Sequence, residues 1–271
     1  MGQAMPKPKL DRLRQTLAGI DPSFAPKLSD AERLIRLAEP IDTTLGGGLA
    51  CGALHELAAA APRDFGAASG FAMALAARAQ GSGGQALWIA TGFAMTESGG
   101  LYGPGLEGFG IASERLLLLR VGKPLDVLWA MEEALRCRAL ACVVAELTGD
   151  GDDADLTATR RLALAARDGA STRNSGFGLL LRHKPSAAPH AAMTRWQVGA
   201  APSEPDALGA PIGGLGRTRF DLSLCKNRRG PCGRWIIEWN HHERAFQPAI
   251  PVGVAAPALD RPDRALLVRA G

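Results

Sequence analysis

The sequence predicts an α/β protein: a mostly parallel twisted sheet flanked by helices, with antiparallel strands at its C-terminal edge. Three observations carry this. Between residues 41 and 185 short apolar runs alternate with helical segments, the pattern of strands joined by right-handed crossovers. One of those runs, Ala139–Leu147, is apolar without alternation, as a strand buried on both faces must be. From about Pro185 strands alternate with turn signals instead, which gives antiparallel pairs. A chain of 271 residues fits one large domain, or one core with small appendages.

The elements follow in chain order. Leu10–Ile20 is a short helix candidate, broken by Asp21-Pro22. Ser29-Asp30-Ala31-Glu32 has capping-box form ahead of Leu34, Ile35 and Leu37, which predicts a second helix to about Glu39, stopped by Pro40. Residues 1–40 thus read as a helical N-terminal segment, 41–250 as the core and 251–271 as a flexible tail with Arg261, Arg264 and Arg269. Within the core, Ala53–Leu57 is a strand and Gly70–Ala79 a helix. Gln85–Ala90 and Leu116–Val121 are strands, and Leu125–Cys137 a helix. The Ala139–Leu147 strand is followed by a helix over Leu156–Arg167, with Thr157, Thr159, Arg160, Arg161 and Arg167 on polar positions, and by a strand over Gly178–Arg182. Thr194–Val198, Arg219–Lys226, Gly233–Trp239 and Phe246–Ile250 form the antiparallel group, interrupted by a Gly/Pro/Ala-rich loop over Gly199–Gly216.

Composition excludes more than it assigns. A 46% hydrophobic content fills a core, and a net charge of +4 permits contact with nucleic acid without demanding it. No segment reaches the roughly 18 apolar residues of a membrane span, and no signal-peptide pattern follows Met1–Leu10, so a cytoplasmic protein is expected. The five cysteines lack a CxxC pair. Cys137 and Cys142 read as small core residues, while Cys225 and Cys232 can face each other across a hairpin. His55-Glu56 lacks the second histidine of a zinc motif, and adjacent histidines such as His241-His242 in a turn rarely bind metal. Tyr102-Gly103-Pro104-Gly105 reads as a rigid turn with an exposed aromatic.

Two constellations remain. The stretch Gly46–Gln80 has the layout of a nucleotide-binding core: Gly-rich turn, apolar strand, loop, small-residue helix. Its loop lacks the chemistry. A working phosphate loop reads GxxxxGK[ST], with a lysine on the β/γ oxygens. Here Pro62 stands at the first glycine, Ala67 at the second, Ala68 at the lysine and Ser69 at the hydroxyl, with Gly66 the nearest glycine. Arg63 lies at the wrong end of the loop to replace the lysine. The second constellation is Lys226-Asn227-Arg228-Arg229-Gly230-Pro231, between alternating flanks. It reads as a hairpin whose tip carries three cations. Such a tip either grips phosphate oxygens or only keeps the hairpin solvated.

The first constellation resembles a RecA-type ATPase core that no longer binds ATP. In active members a glutamate follows the next strand, and Thr91-Gly92 stands there instead; Glu97 comes later, in a glycine-flanked loop. Of the acids, only Glu146, at the end of the ACVVAEL strand, matches the magnesium-holding position. The Lys-Asn-Arg hairpin is similar to one that RecA and its relative RadA use at a subunit interface, which gives Lys226 and Arg228 an interface role. The span from about Ile41 to Trp239 resembles the ImuA family of degenerate RecA relatives, on the segments LGGGLACGALHEL, SGFAMALAAR, LYGPGL, LWAMEEALRCRALACVVAEL, LTATRRLALAA and KNRRGPCGRWIIEW. That resemblance implies a non-catalytic, RecA-like role without cofactor in SOS-induced translesion synthesis. The implied partners are an ImuB-like Y-family polymerase homologue, an error-prone C-family polymerase and RecA itself. A shorter relative, the division inhibitor SulA, and a weakly active RecA-type ATPase are the alternatives. Direct contact with DNA is expected to be weak and salt-dependent, through Arg228, Arg229 and the Lys7–Arg14 cluster.

Overall fold

The structure is a computed structural model that describes residues 33–81, 83–137, 139–148, 154–170, 176–203 and 216–249. The Leu10–Ile20 helix, the Lys7–Arg14 cluster, most of the Gly199–Gly216 loop and the 251–271 tail lie outside the described residues.

Nine strands form one sheet. They are β3 (Leu54–Ala59), β4 (Gln85–Thr91), β5 (Leu116–Val121), β6 (Leu140–Leu147), β7 (Phe177–Arg182), β8 (Thr194–Ala201), β9 (Arg219–Asn227), β10 (Gly233–Asn240) and β11 (Ala245–Pro248). Their order is β11-β10-β9-β8-β3-β7-β6-β4-β5. From β8 to β5 neighbours run parallel, and β9, β10 and β11 add in antiparallel fashion. β3 is therefore the central strand, and all six of its residues are buried. A mixed α/β architecture with a mostly parallel sheet is what the alternation predicts.

Two apolar layers hold the sheet. On one face α2 (Phe65–Gln80) packs its alanines with Phe71 and Leu75 on β3, β6 and β8. Small residues at Ala68, Ala72, Ala76 and Ala79 let that helix lie close to the strands, all at 2% exposure or less. On the other face α5 (Pro124–Leu135) and α6 (Leu156–Ala170) pack Val127, Met131, Leu162 and Ala166 on Val143, Ala145 and Leu180. Aromatics close the antiparallel end, where Phe71, Phe220, Trp239 and Phe246 stack with centroids 4.8–6.3 Å apart.

Several expectations need correction. The helix predicted to end at Glu39 is not there: Leu34–Ile35 form a short strand β1, antiparallel to β2 (Leu49–Ala50). Helix α1 (Glu39–Leu45) instead begins at Glu39 with Pro40 in its first turn. Proline's fixed φ suits a helix start as well as it forbids a helix interior, and Asp42 Oδ1 accepts from the Leu37 N–H at 2.8 Å. Gly46, Gly47 and Gly48 all have positive φ, and a Cβ at Gly48 would stand 2.7 Å from the Ile35 carbonyl oxygen. Only glycine makes that turn. Two short helices, α3 (Gly92–Ser98) and α4 (Gly103–Phe109), occupy what reads as loop, so Glu97 is helical and Pro104 starts a helix. Thr159 is fully buried rather than solvated, because its hydroxyl accepts from the Ala191 N–H at 3.0 Å. Cys137 is exposed beyond the end of α5, and none of the five cysteines is in a disulfide.

Candidate functional site

The segment aligned with a phosphate loop runs from the end of β3 into α2. β3 ends at Ala59, a 3₁₀ turn takes Pro62–Asp64, and α2 begins at Phe65. The candidate residues Gly66, Ala67, Ala68 and Ser69 are all in the first turns of that helix. Ala68, at the lysine position, is fully buried in the core.

Glu146 is the second-last residue of β6 and is 5% exposed. Its Oε2 accepts from Trp88 Nε1 at 3.1 Å on the neighbouring strand β4. Its Oε1 accepts from Ser98 Oγ at 3.2 Å and lies 2.8 Å from His183 Nε2. A carboxylate only accepts, so Nε2 is the protonated nitrogen of His183. The Phe65 ring stacks on His183 with centroids 3.6 Å apart. His183 touches both Ser98 and Glu146 through this one nitrogen. It therefore cannot relay a serine proton to the carboxylate as a triad histidine does through two.

These groups border a cavity of about 310 Å³ at the carboxyl ends of β4 and β6. Phe65, Met73, Trp88, Leu101, Tyr102 and Phe109 form mostly apolar walls, and among the described residues Glu146 is the only carboxylate lining it, with no Lys, Arg or His. Gly66 and Ser69 also face it, whereas Ala67 and Ala68 do not. Carboxyl ends of strands in an open α/β sheet are the usual place for a ligand. The sequence pointed to Glu146 and Tyr102. It gave no sign of Trp88, Ser98 or His183, because strand adjacency alone brings β4, β6 and β7 together.

A second buried carboxylate lies on the central strand. Glu56 is fully buried, with Arg195 Nε at 3.0 Å, Arg182 Nε at 3.6 Å and His190 Nδ1 at 3.6 Å. Arg195 also donates to the carbonyls of Ser186 and Ala188, at 2.6 and 2.9 Å. Lys226 sits in strand β9, not at a hairpin tip, and donates to the His190 carbonyl at 2.7 Å. Burial, then Arg228 and Arg195, pull its pKa below the usual lysine range. Asn227 is likewise turned inward, to the carbonyls of Thr44 and Pro231. Only Arg228 and Arg229 of the candidate cations are exposed at the tip. Among the described residues no group of three ligand-type side chains is placed to hold a metal ion. No helix among them is long and apolar enough to cross a membrane.

No family model matches the chain. Protein ImuA of Caulobacter vibrioides, in strains NA1000 / CB15N and ATCC 19089 / CIP 103742 / CB 15, is 31% identical over 208 residues. The match covers 71% of this chain and 77% of that protein. The chain belongs to the ImuA family. The resemblance read from LGGGLACGALHEL and KNRRGPCGRWIIEW is thereby shown.

Proposed function

We propose that the protein is a non-catalytic, RecA-like accessory component of SOS-induced translesion DNA synthesis in the cytoplasm. It works beside an ImuB-like Y-family polymerase homologue and an error-prone C-family polymerase. Membership of the ImuA family is the observation that carries this reading. The central β3 with its turn and helix α2, five parallel partners and an antiparallel extension supports a RecA-like core. The site supports a role without ATP hydrolysis. Ala68 stands buried where a lysine would meet the γ-phosphate, and charge stabilisation with positioning is nearly all that a protein supplies to phosphoryl transfer.

Two measurements test this. Isothermal titration with Mg-ATP should show no binding in the micromolar range; such binding would overturn the non-catalytic reading. Affinity capture of the tagged protein from damaged cells should bring down the ImuB-like and C-family polymerases. Capture of a tubulin-like division protein in their place would favour the division-inhibitor alternative.

A further inference from the structure

We propose that the cavity over Glu146 is a receptor for an arginine side chain presented by a protein partner. The proposal does not depend on which cellular process the protein serves.

The argument is one of charge and shape. A nucleotide site needs cations, and this cavity has no Lys or Arg among its lining residues. Among the described residues its one carboxylate is that of Glu146. Among the described residues the ion-pair partner of Glu146 is His183, charged only if protonated. The first residues of α2, Phe65 and Gly66, also line the space. The partial positive charge at a helix N-terminus is about half a unit, less than the full charge of the carboxylate. The cavity therefore favours a cation over an anion.

Its walls specify which cation. Phe65, Trp88, Tyr102 and Phe109 offer aromatic surface, and Met73 and Leu101 offer aliphatic surface. A guanidinium stacks on aromatic faces and forks onto a carboxylate, which a compact ammonium does less well. Among the described residues Glu146 Oε2 carries only the Trp88 bond, and a carboxylate has about four acceptor sites in all, so one donor more is accommodated there. The rim is shaped for a backbone rather than a free metabolite. Gly99 and Gly100 are exposed, and a Cβ on either would meet nothing within 4 Å. Tyr102 beside them is 71% exposed. Another chain can thus approach closely while Tyr102 packs on it.

The test follows the Trp88 indole N–H resonance in ¹⁵N-labelled full-length protein, since that proton bonds Glu146. The probes are the tripeptide Ala-Arg-Ala, its citrulline counterpart, agmatine and Mg-ATP. The arginine peptide should shift the resonance saturably. The citrulline peptide, of the same shape but neutral, should bind at least tenfold more weakly, as should agmatine. Glu146→Gln should remove the arginine preference, and Tyr102→Ala, at an exposed position, should weaken binding several-fold without unfolding. Equal binding of both peptides would overturn the charge argument. Agmatine binding as tightly as the peptide would overturn the protein source. A shift with Mg-ATP alone would overturn the proposal in favour of a surviving nucleotide site.

Discussion

Glu56 and Glu146 are both buried in the same sheet, and their surroundings are opposite. Glu56, on the central strand, has two arginines and a histidine on it, with Lys226 bound to that histidine's carbonyl. Glu146, at the end of β6, has an indole, a hydroxyl, an imidazole and apolar walls. Burying a carboxylate costs several kcal/mol unless it is paired. Glu56 meets that cost with cations, and those cations in turn hold the carbonyls of Ser186, Ala188 and His190. It is a structural knot that fixes the segment between β7 and β8. Glu146 meets it with the Trp88 and Ser98 hydrogen bonds and the His183 contact, beside a cavity.

Replacing Glu56 should have the largest effect. Removing one member of a buried ionic group leaves the others uncompensated, at about 3–5 kcal/mol. Glu56→Gln should therefore lower urea stability by that order, whereas Glu146→Gln should cost about 1 kcal/mol, because a Gln carbonyl still accepts from Trp88. Equal costs at the two sites would remove the distinction between them.

Acid should act on the same side of the molecule. His190 has its pKa lowered to about 3 by burial, with Arg195, Lys226, Arg182 and Arg228 adding to it. His55 is lowered to about 4 by burial. It donates from Nε2 to the Ala50 carbonyl and accepts from Thr194 at Nδ1, a neutral tautomer. Both folded values lie below the ordinary 6.5, so the unfolded chain binds protons first as pH falls. The stability these residues contribute is complete above about pH 6.5 and is lost toward pH 4. Two such groups amount to about 4 kcal/mol between pH 7 and pH 5. Chemical denaturation across that range should show the loss, and His55→Gln should flatten its pH dependence by about half. A pH-independent stability would contradict the neutral burial of both rings.

The phosphate-loop position sharpens the contrast from the other end. Ala68→Lys restores the motif's cation but places it at a fully buried core position against the sheet. It should cost about 3 kcal/mol by buried charge and overpacking, and it should not create ATP hydrolysis. A stable variant that binds Mg-ATP would mean that α2 can open into a loop.

What the sequence made legible follows from how local each signal is. The Ala139–Leu147 run and the strands around it were readable because burial on both faces leaves Glu146 as the only charged residue in the run. The departure from the GxxxxGK[ST] pattern was readable because that motif is contiguous. Helices α3 and α4 were not, since seven-residue helices span only about two turns and carry too few apolar repeats. Pro40 misled for a definite reason: the same residue both ends and begins helices, and the pairing of Leu34–Ile35 with Leu49–Ala50 that decides between them is tertiary. Lys226 misled in a related way. Its neighbours Arg228 and Arg229 suggested a charged tip, but β9 runs through to Asn227, and its pairing with β8 brings Lys226 beside Arg195 and the His190 carbonyl.

The smallest effect on stability should come from the tip itself, and it separates scaffold from surface most cleanly. Lys226→Ala would disturb the Glu56 knot, so it is a poor probe of an interface. Arg228 and Arg229 are exposed, and backbone and Asn227 bonds help to hold the tip: Arg228 N–H to the Met193 carbonyl at 3.1 Å, Arg229 N–H to Asn227 Oδ1 at 2.9 Å. A change of both arginine side chains leaves those bonds in place. Arg228→Ala with Arg229→Ala should therefore shift stability by no more than about 0.5 kcal/mol. If the tip reaches a partner or DNA phosphates, ultraviolet-induced mutation frequency should nonetheless fall in cells that carry the double variant. Unchanged mutagenesis with unchanged melting would show that the arginines only solvate the hairpin. A lowered melting point would place them in the scaffold with Lys226, and the division between knot and surface drawn from the two glutamates would not extend to the tip.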